Sequence, residues 1–420
     1  MIKKCFFLLI LSVIMSVLFF IRYKFEWKIS TFDEWSEYLV ANSIYKSIDR
    51  GIFFKGGYMA EVGRPGIEKL HRKDFNAETY SVYDRQFGLQ YKMFSIFAPS
   101  DKNLFLRYYY LLKIVTVFML ACVLNILVYA VKKEFGFVSA VTLFLLLIAS
   151  DSIVFYSFNL YWVAYTLFLP FAMAWLLLPN IIERNRYLPF YALIAFLVMI
   201  KALCGLEFIT NVAASPIIPL IYYELKRNTA VSVLFKKMAG IAVSGMIGVA
   251  IAVMITLVQG FFYFGSFSKA IEPIVKKILI RTLGDAGSNE LVVQFDIYDT
   301  VRTFVMFLKK AMFFDHIPIF IILAAGVLFL IMCRSVLKAM RKPRGINDTV
   351  PARTIYALSM AVLASFAVSF SWFAVAFGHT RYHDLHCTIL MFLPLFCMLF
   401  ASVPFVLKTF YCCLIKKRLN

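Results

Sequence analysis

Stretches of about 20 residues with almost no charge recur along this chain, and each is long enough to cross the hydrocarbon core of a bilayer as a helix. Ten are read, at residues 5–21, 109–131, 137–157, 160–178, 190–208, 209–223, 238–259, 317–333, 354–377 and 388–408. A spanning segment must satisfy its backbone polar groups internally, so a chain built this way folds as a bundle of helices. Its 62% hydrophobic and 16% charged residues lie well outside the soluble range. The expected fold class is an all-α polytopic membrane protein of about ten transmembrane helices, a single integral membrane domain over residues 1–420.

A net charge of +20 would suggest nucleic acid in a soluble protein. Here the basic residues cluster at the ends of apolar runs, where they fix orientation instead. Lys3-Lys4, Lys132-Lys133, Arg184 and Arg186, Lys226-Arg227, Lys236-Lys237, the basic loop 333–353 and Lys416-Lys417-Arg418 all fall on one side of a ten-helix arrangement. That side is expected to be the cytoplasm, with both termini there and no nucleic-acid partner. The first apolar run lacks a small-x-small cleavage site and reads as a retained signal anchor. The eight cysteines show neither CxxC nor metal-site spacing and read as packing residues. No P-loop, GxSxG or HExxH motif occurs, which leaves ATP-driven transport and hydrolase chemistry without support.

Three segments on the outer side are more than turns: 22–108, 260–316 and 378–387. The first carries Ser30-Thr31-Phe32-Asp33-Glu34-Trp35, then Tyr38, Ala41, Tyr45, Ile48 and Ile52 at helical spacing, with Gly51 closing the pattern. This predicts an amphipathic helix at about 32–50, lying on the membrane surface. Thr31 and Glu34 fit a capping box, which accounts for Glu34. Asp33 has no part in that cap and stands near low dielectric, where a carboxylate can serve as a base. In the third segment His379, His383 and His386 gather with Arg381 and Asp384. A tight polar connector is the plain reading, and metal ligation the more specific one. Lys201 and Glu207 interrupt an apolar region. Either Lys201 reaches to the interface from a helix end, or both charges line a cavity under the first loop, with Glu207 a second carboxylate. Asp151, near a membrane edge, is the other charge noted within the runs, and Trp162 and Tyr165 read as interfacial belt.

An acidic pair after the first membrane helix, followed by an aromatic helix ending in glycine, is written here as FDEWSEYLVANSIYKSIDRGIFF. Gln86-Phe87-Gly88-Leu89-Gln90-Tyr91 follows, and Arg107 precedes the second membrane helix. This pattern resembles the membrane-embedded glycosyltransferases of the GT-C fold, over roughly the first 130 residues and in topology. Trp35 departs from it, since small residues are frequent after the acids in that family, and 420 residues is short for the group. The resemblance implies a polyprenyl-phosphate sugar as donor. It implies a cell-surface polysaccharide, lipopolysaccharide such as O-antigen, or another lipid-linked glycan as acceptor, at the outer face of a bacterial inner membrane. By position Asp33 would be the general base, with Glu34 as substitute. Arg85, His379, Arg381 and His383 would hold the donor phosphate, as Arg does bidentately. Some members of the family use a divalent cation. No clear motif here decides that point, so the cofactor stays open and no metal ligand is assigned. Two other functions fit less of the chain. A polymerase of surface-glycan repeats finds only the 260–316 loop in its favour, and a flippase for lipid-linked sugars would string charges through several helices.

Overall fold

The computed structural model describes residues 2–25, 33–61, 81–283, 302, 305–306, 308–309, 311–313, 317–340, 350–376 and 387–419. The apolar runs become helices, because only the helix closes every backbone hydrogen bond within the segment. In chain order the first long ones are α1 (Ile2–Phe25), then, after the shorter α2 (Glu34–Arg50) and α3 (Leu89–Ile96), α4 (Phe105–Phe135). The chain continues through α5 (Phe137–Ala149), α6 (Asp151–Ser157), α7 (Tyr165–Arg184) and α8 (Tyr187–Cys204). It then forms α9 (Ile209–Ala214), α10 (Ile217–Lys226), α11 (Val231–Phe264) and α12 (Phe267–Leu283). The last three helices are α13 (Ile319–Met340), α14 (Val350–Val375) and α15 (Cys387–Leu419).

Among the described residues eight of these helices are long and apolar enough to cross a membrane, or nine if α5 and α6, bent by 67° at Ser150, are taken as one span. The chain is thus an all-α polytopic membrane protein. The segment 209–223, expected as one span, is instead the short pair α9 and α10 broken at Ser215-Pro216. Pro216 has no amide hydrogen to carry the helical ladder across that point. The segment 160–178 is helical only from Tyr165, which frees residues 158–164 for another role. Where α8 and α11 pack together, Gly248 is required by close approach. A Cβ there would collide with the Ala195 carbonyl and stand 3.0 Å from Met199 N.

Residues 33–61 and 81–104 lie between α1 and α4 and hold two short antiparallel strands, β1 (Met59–Glu61) and β2 (Ser81–Tyr83), with Met59 opposite Tyr83. A second two-stranded piece joins Ala311–Phe313 to Ile317–Pro318. The helix expected to lie on the membrane surface does not. Nine consecutive residues of α2, Ser36 to Ile44, are buried, on every face of the helix. Ser43 Oγ accepts from the Ala60 amide at 2.8 Å, tying α2 to β1. On its other side Glu37 meets Lys113 of α4 at 3.0 Å, with both side chains nearly inaccessible. Lys113 also lies over the rings of Tyr23 and Tyr109, 5.5 and 5.1 Å from their centroids. A polar helix enters an apolar bundle here because its buried charge is met by an opposite one.

Removing one half of such a pair strands the other. Lys113→Met is expected to destabilise the protein by about 3–5 kcal/mol, and the double variant Glu37→Gln/Lys113→Met to recover most of that loss. Thermal unfolding in detergent measures both.

Candidate functional site

Asp33 immediately precedes α2 and holds the left-handed conformation, φ 44° and ψ 47°, which Asp tolerates better than most residues. Its carbonyl accepts from the Glu37 amide at 3.1 Å and from Asn159 Nδ2 at 3.2 Å. Its carboxylate is turned towards Ser36 in the first turn of the helix, which lowers its proton affinity. Oδ2 accepts from the Trp162 indole nitrogen at 2.7 Å. With Asp33 at the cap, Glu34 is the first helical residue, so the box expected from Thr31 and Glu34 is not how this helix starts. Glu34 is half-buried, and Thr31 lies outside the described residues.

The non-helical segment 158–164 aims the tryptophan. Asn159 Oδ1 accepts from the Tyr161 amide at 3.0 Å, a local side-chain turn that folds the backbone back. Val163 then takes φ 40° before α7 begins. Trp162 is 4% exposed and packs on Tyr156, Tyr161 and Phe208 with ring centroids 5.1, 5.6 and 5.7 Å away. It is therefore buried inside the protein, contrary to its reading as an interfacial belt residue. An aromatic flanking an apolar run fits both roles, and only the chain reversal at 158–164 separates them.

The next residue extends the site. The Tyr161 hydroxyl stands 3.2 Å from Gln86 Oε1 and 3.4 Å from Glu207 Oε1. Gln90 Nε2 donates to the carbonyls of Tyr161 and Cys204, both at 3.1 Å. Lys201 Nζ donates to the Gly205 carbonyl at 2.8 Å, and a Cβ at Gly205 would collide with Glu207 Oε2. Lys201 and Glu207 are 2% and 3% exposed, so Lys201 turns inward rather than reaching for an interface. Asp33, Trp162, Tyr161, Gln86, Glu207 and Lys201 thus form one linked polar cluster at the end of the bundle that carries residues 33–104.

Arg85 approaches from the edge. It is exposed, its guanidinium 5.9 Å from the Tyr83 ring, and Tyr83 meets Trp35 edge-on at 6.1 Å. Burial raises the Glu61 carboxyl, and the Arg85 charge offsets part of that rise. His379, Arg381 and His383 fall within 377–386, outside the described residues. Among the described residues no three His, Cys, Asp or Glu side chains gather to hold a metal ion.

The chemistry of the cluster rests on Asp33. Burial pushes its carboxyl up to about 6; hydrogen bonds from Ser36 and Trp162 pull the other way, and the Glu37 charge adds to the rise. Glu37, one turn along, is answered by Lys113, whereas no cation pairs with Asp33 among the described residues. A carboxyl of this kind is ionised at neutral pH yet close enough to it to take up and release a proton. Glu37, Lys113, Tyr161 and Trp162 were not singled out as site residues by the sequence. Lys113 did leave a signal, as a charge inside the apolar run 109–131.

Scans of protein-family models, of curated proteins and of solved structures find no match to this chain. The fold defines its class by itself: a multi-pass membrane protein of helices, with a half-buried carboxyl beside a buried polar cluster.

The shift of Asp33 has a stability consequence. Its folded-state pKa lies above the ordinary value of 3.8, so its proton favours the folded state fully below that value, and the benefit disappears as pH rises through about 6. Asp33→Asn still accepts from Trp162 and has no charge to bury. At about pH 7.5 the variant is expected to be more stable than wild type by about 1–2 kcal/mol, a difference that fades towards about pH 4. Thermal unfolding across that range measures it.

Proposed function

We propose that the protein is a membrane glycosyltransferase that moves a hexosyl or pentosyl unit from a polyprenyl-phosphate donor to a surface polysaccharide, lipopolysaccharide or lipid-linked glycan. It would act at the outer face of a bacterial inner membrane, with both termini in the cytoplasm. The observation that carries this reading is the Asp33 carboxylate, raised in proton affinity by burial and oriented by the Trp162 indole. A base must be charged at working pH yet weakly enough hydrated to take a proton, and a pKa of about 6 meets both demands.

In the transfer, a carboxylate oxygen of Asp33 takes the proton of an acceptor hydroxyl as that oxygen bonds to the anomeric carbon of the donor sugar. The bond from that carbon to the phosphate oxygen breaks, and the electron pair leaves on the polyprenyl phosphate. Trp162 holds the second carboxylate oxygen in place through the step. Arg85, exposed at the edge of the cluster, is the described cation assigned to the departing phosphate, with His379, Arg381 and His383 as further candidates. Glu34 remains the substitute for Asp33 by position. Tyr161, Gln86 and Glu207 supply hydrogen-bonding groups suited to sugar hydroxyls.

The test compares the mass of the surface-glycan repeat unit in a host deleted for the protein, in the same host with wild type restored, and with Asp33→Asn restored. The expected result is one sugar missing on deletion, regained with wild type and still missing with the variant. Shortened chains of unchanged repeat would make the protein a polymerase. An unaltered glycan would remove the transferase reading.

A further inference from the structure

Backbone strain in this protein gathers around one side chain. Among the described residues six that are not glycine have φ above zero: Asp33, Lys55, Val163, Asn185, Phe208 and Asn228. Asn185 and Asn228 close α7 and α10, where asparagine takes this conformation readily, and Lys55 lies in the turn at 54–57. The other three meet at the Trp162 indole. Asp33 accepts its hydrogen bond, Val163 is the next residue of the chain, and Phe208 packs its ring on it with centroids 5.7 Å apart. Left-handed backbone is an outlier for a β-branched valine and for a bulky phenylalanine. It persists only where the surroundings over-determine it.

For Phe208 those surroundings can be named. The chain leaves α8 at Gly205, and Phe208, with φ 59°, caps the start of α9. From there α9 is bound to α14. Asn211 Nδ2 donates to the carbonyls of Val368 and Ser369 at 2.8 and 3.2 Å, and Ser371 Oγ stands 3.1 Å from Thr210 Oγ1. Asn211 and Ser369 are buried, so water does not compete for these bonds. The same helix supports the ring directly, since Trp372 of α14 lies 5.5 Å from Phe208 by ring centroids. Phe208 is itself buried and thus touches two tryptophans, one carried by the reversal at 158–164 and one by a membrane-spanning helix. An indole packed in this way has little freedom to turn. Its rotation decides where its N–H points.

We propose that Phe208 is a positioning residue: anchored through α9 and backed by Trp372, its ring holds the Trp162 indole in the rotation that directs the N–H at Asp33, so that the packing of α14 is transmitted to that carboxylate. The inference concerns Asp33 itself and holds whatever reaction the carboxylate serves. Its failure and the failure of the transferase reading are therefore separate results. Phe208 and Trp372 carry no charge, so they can act on Asp33 only through geometry. The charge that acts on Asp33 is that of Glu37, which is answered by Lys113 on α4, while Glu207, next to Phe208 in the chain, meets Tyr161. The bond from Trp162 is one of those that hold the Asp33 carboxyl down against the rise from burial, so loosening it lets the carboxyl rise further.

Infrared difference spectroscopy of the Asp33 carboxylic C=O band, titrated in the full-length protein in detergent, tests this. Phe208→Leu is expected to move the midpoint from about 6 to about 7, the size of one hydrogen bond to a charged group. Trp162→Phe, which has no N–H to give, is expected to move it as far, and Phe208→Leu added to Trp162→Phe to move it no further. Trp372→Leu is expected to shift the midpoint in the same direction by less, and it decides the matter if Phe208→Leu does not fold. A folded Phe208→Leu protein that loses thermal stability but keeps its midpoint would overturn the proposal and leave Phe208 a packing residue. So would an unmoved midpoint in Trp372→Leu, or a shift that Phe208→Leu still adds in the Trp162→Phe background.

Discussion

A helix that begins Glu-Trp-Ser-Glu can be buried in an apolar bundle only if its charges are answered, and the Glu37–Lys113 pair is where that condition is met. The cost of desolvating either group alone would exceed what the surrounding apolar contacts return. Once the pair forms, α2 is drawn against α4, Ser43 reaches the Ala60 amide, and the residue that starts the helix is delivered to the interior. The position of Asp33 follows from that burial. It stands one turn before Glu37, and its carboxylate meets an indole where Glu37 meets an ammonium.

The contrast between these two acids separates their roles. Glu37 is compensated and serves to hold the helix in place. Asp33 is less deeply set but has only dipoles to stabilise its charge, and desolvation holds its proton more tightly than in water. Trp162 completes the arrangement because residues 158–164 leave the helical path, and Tyr161 in the same turn carries the network on to Gln86 and Glu207. Three remote stretches of chain, around Asp33, Gln86 and Glu207, therefore converge on one reversal between α6 and α7.

Much of the scaffold was legible beforehand, because the demand for internal backbone hydrogen bonding makes long apolar runs helical whatever their detail. The sequence also marks out Asp33 from its place after the first run, and the structure sets it immediately before α2. Other features were not legible. The burial of α2 depends on Lys113, a charge lying some 75 residues away in sequence, and an aromatic stripe alone reads equally well as a surface helix. The break at Pro216 leaves an apolar run that hydropathy still scores as one span. Trp162 reads as an interface residue, whereas tertiary contacts turn it inward; for Lys201 the sequence leaves an interface and an interior reading open, and its burial favours the interior one. Period and hydropathy report which face of a segment is apolar; they do not report which polar group waits on the neighbouring element.

The claim on which the rest stands is that Asp33 is a buried carboxyl with a proton affinity raised above that of an ordinary aspartate. Infrared difference spectroscopy of the carboxylic C=O band, titrated in wild type and in Asp33→Asn, reads that affinity directly. A band present in wild type, absent in the variant and half-lost at about pH 6 is the predicted result. A variant-sensitive band that titrates at the ordinary value of 3.8 would show Asp33 to be solvated, and would contradict both the buried geometry and its role as a base.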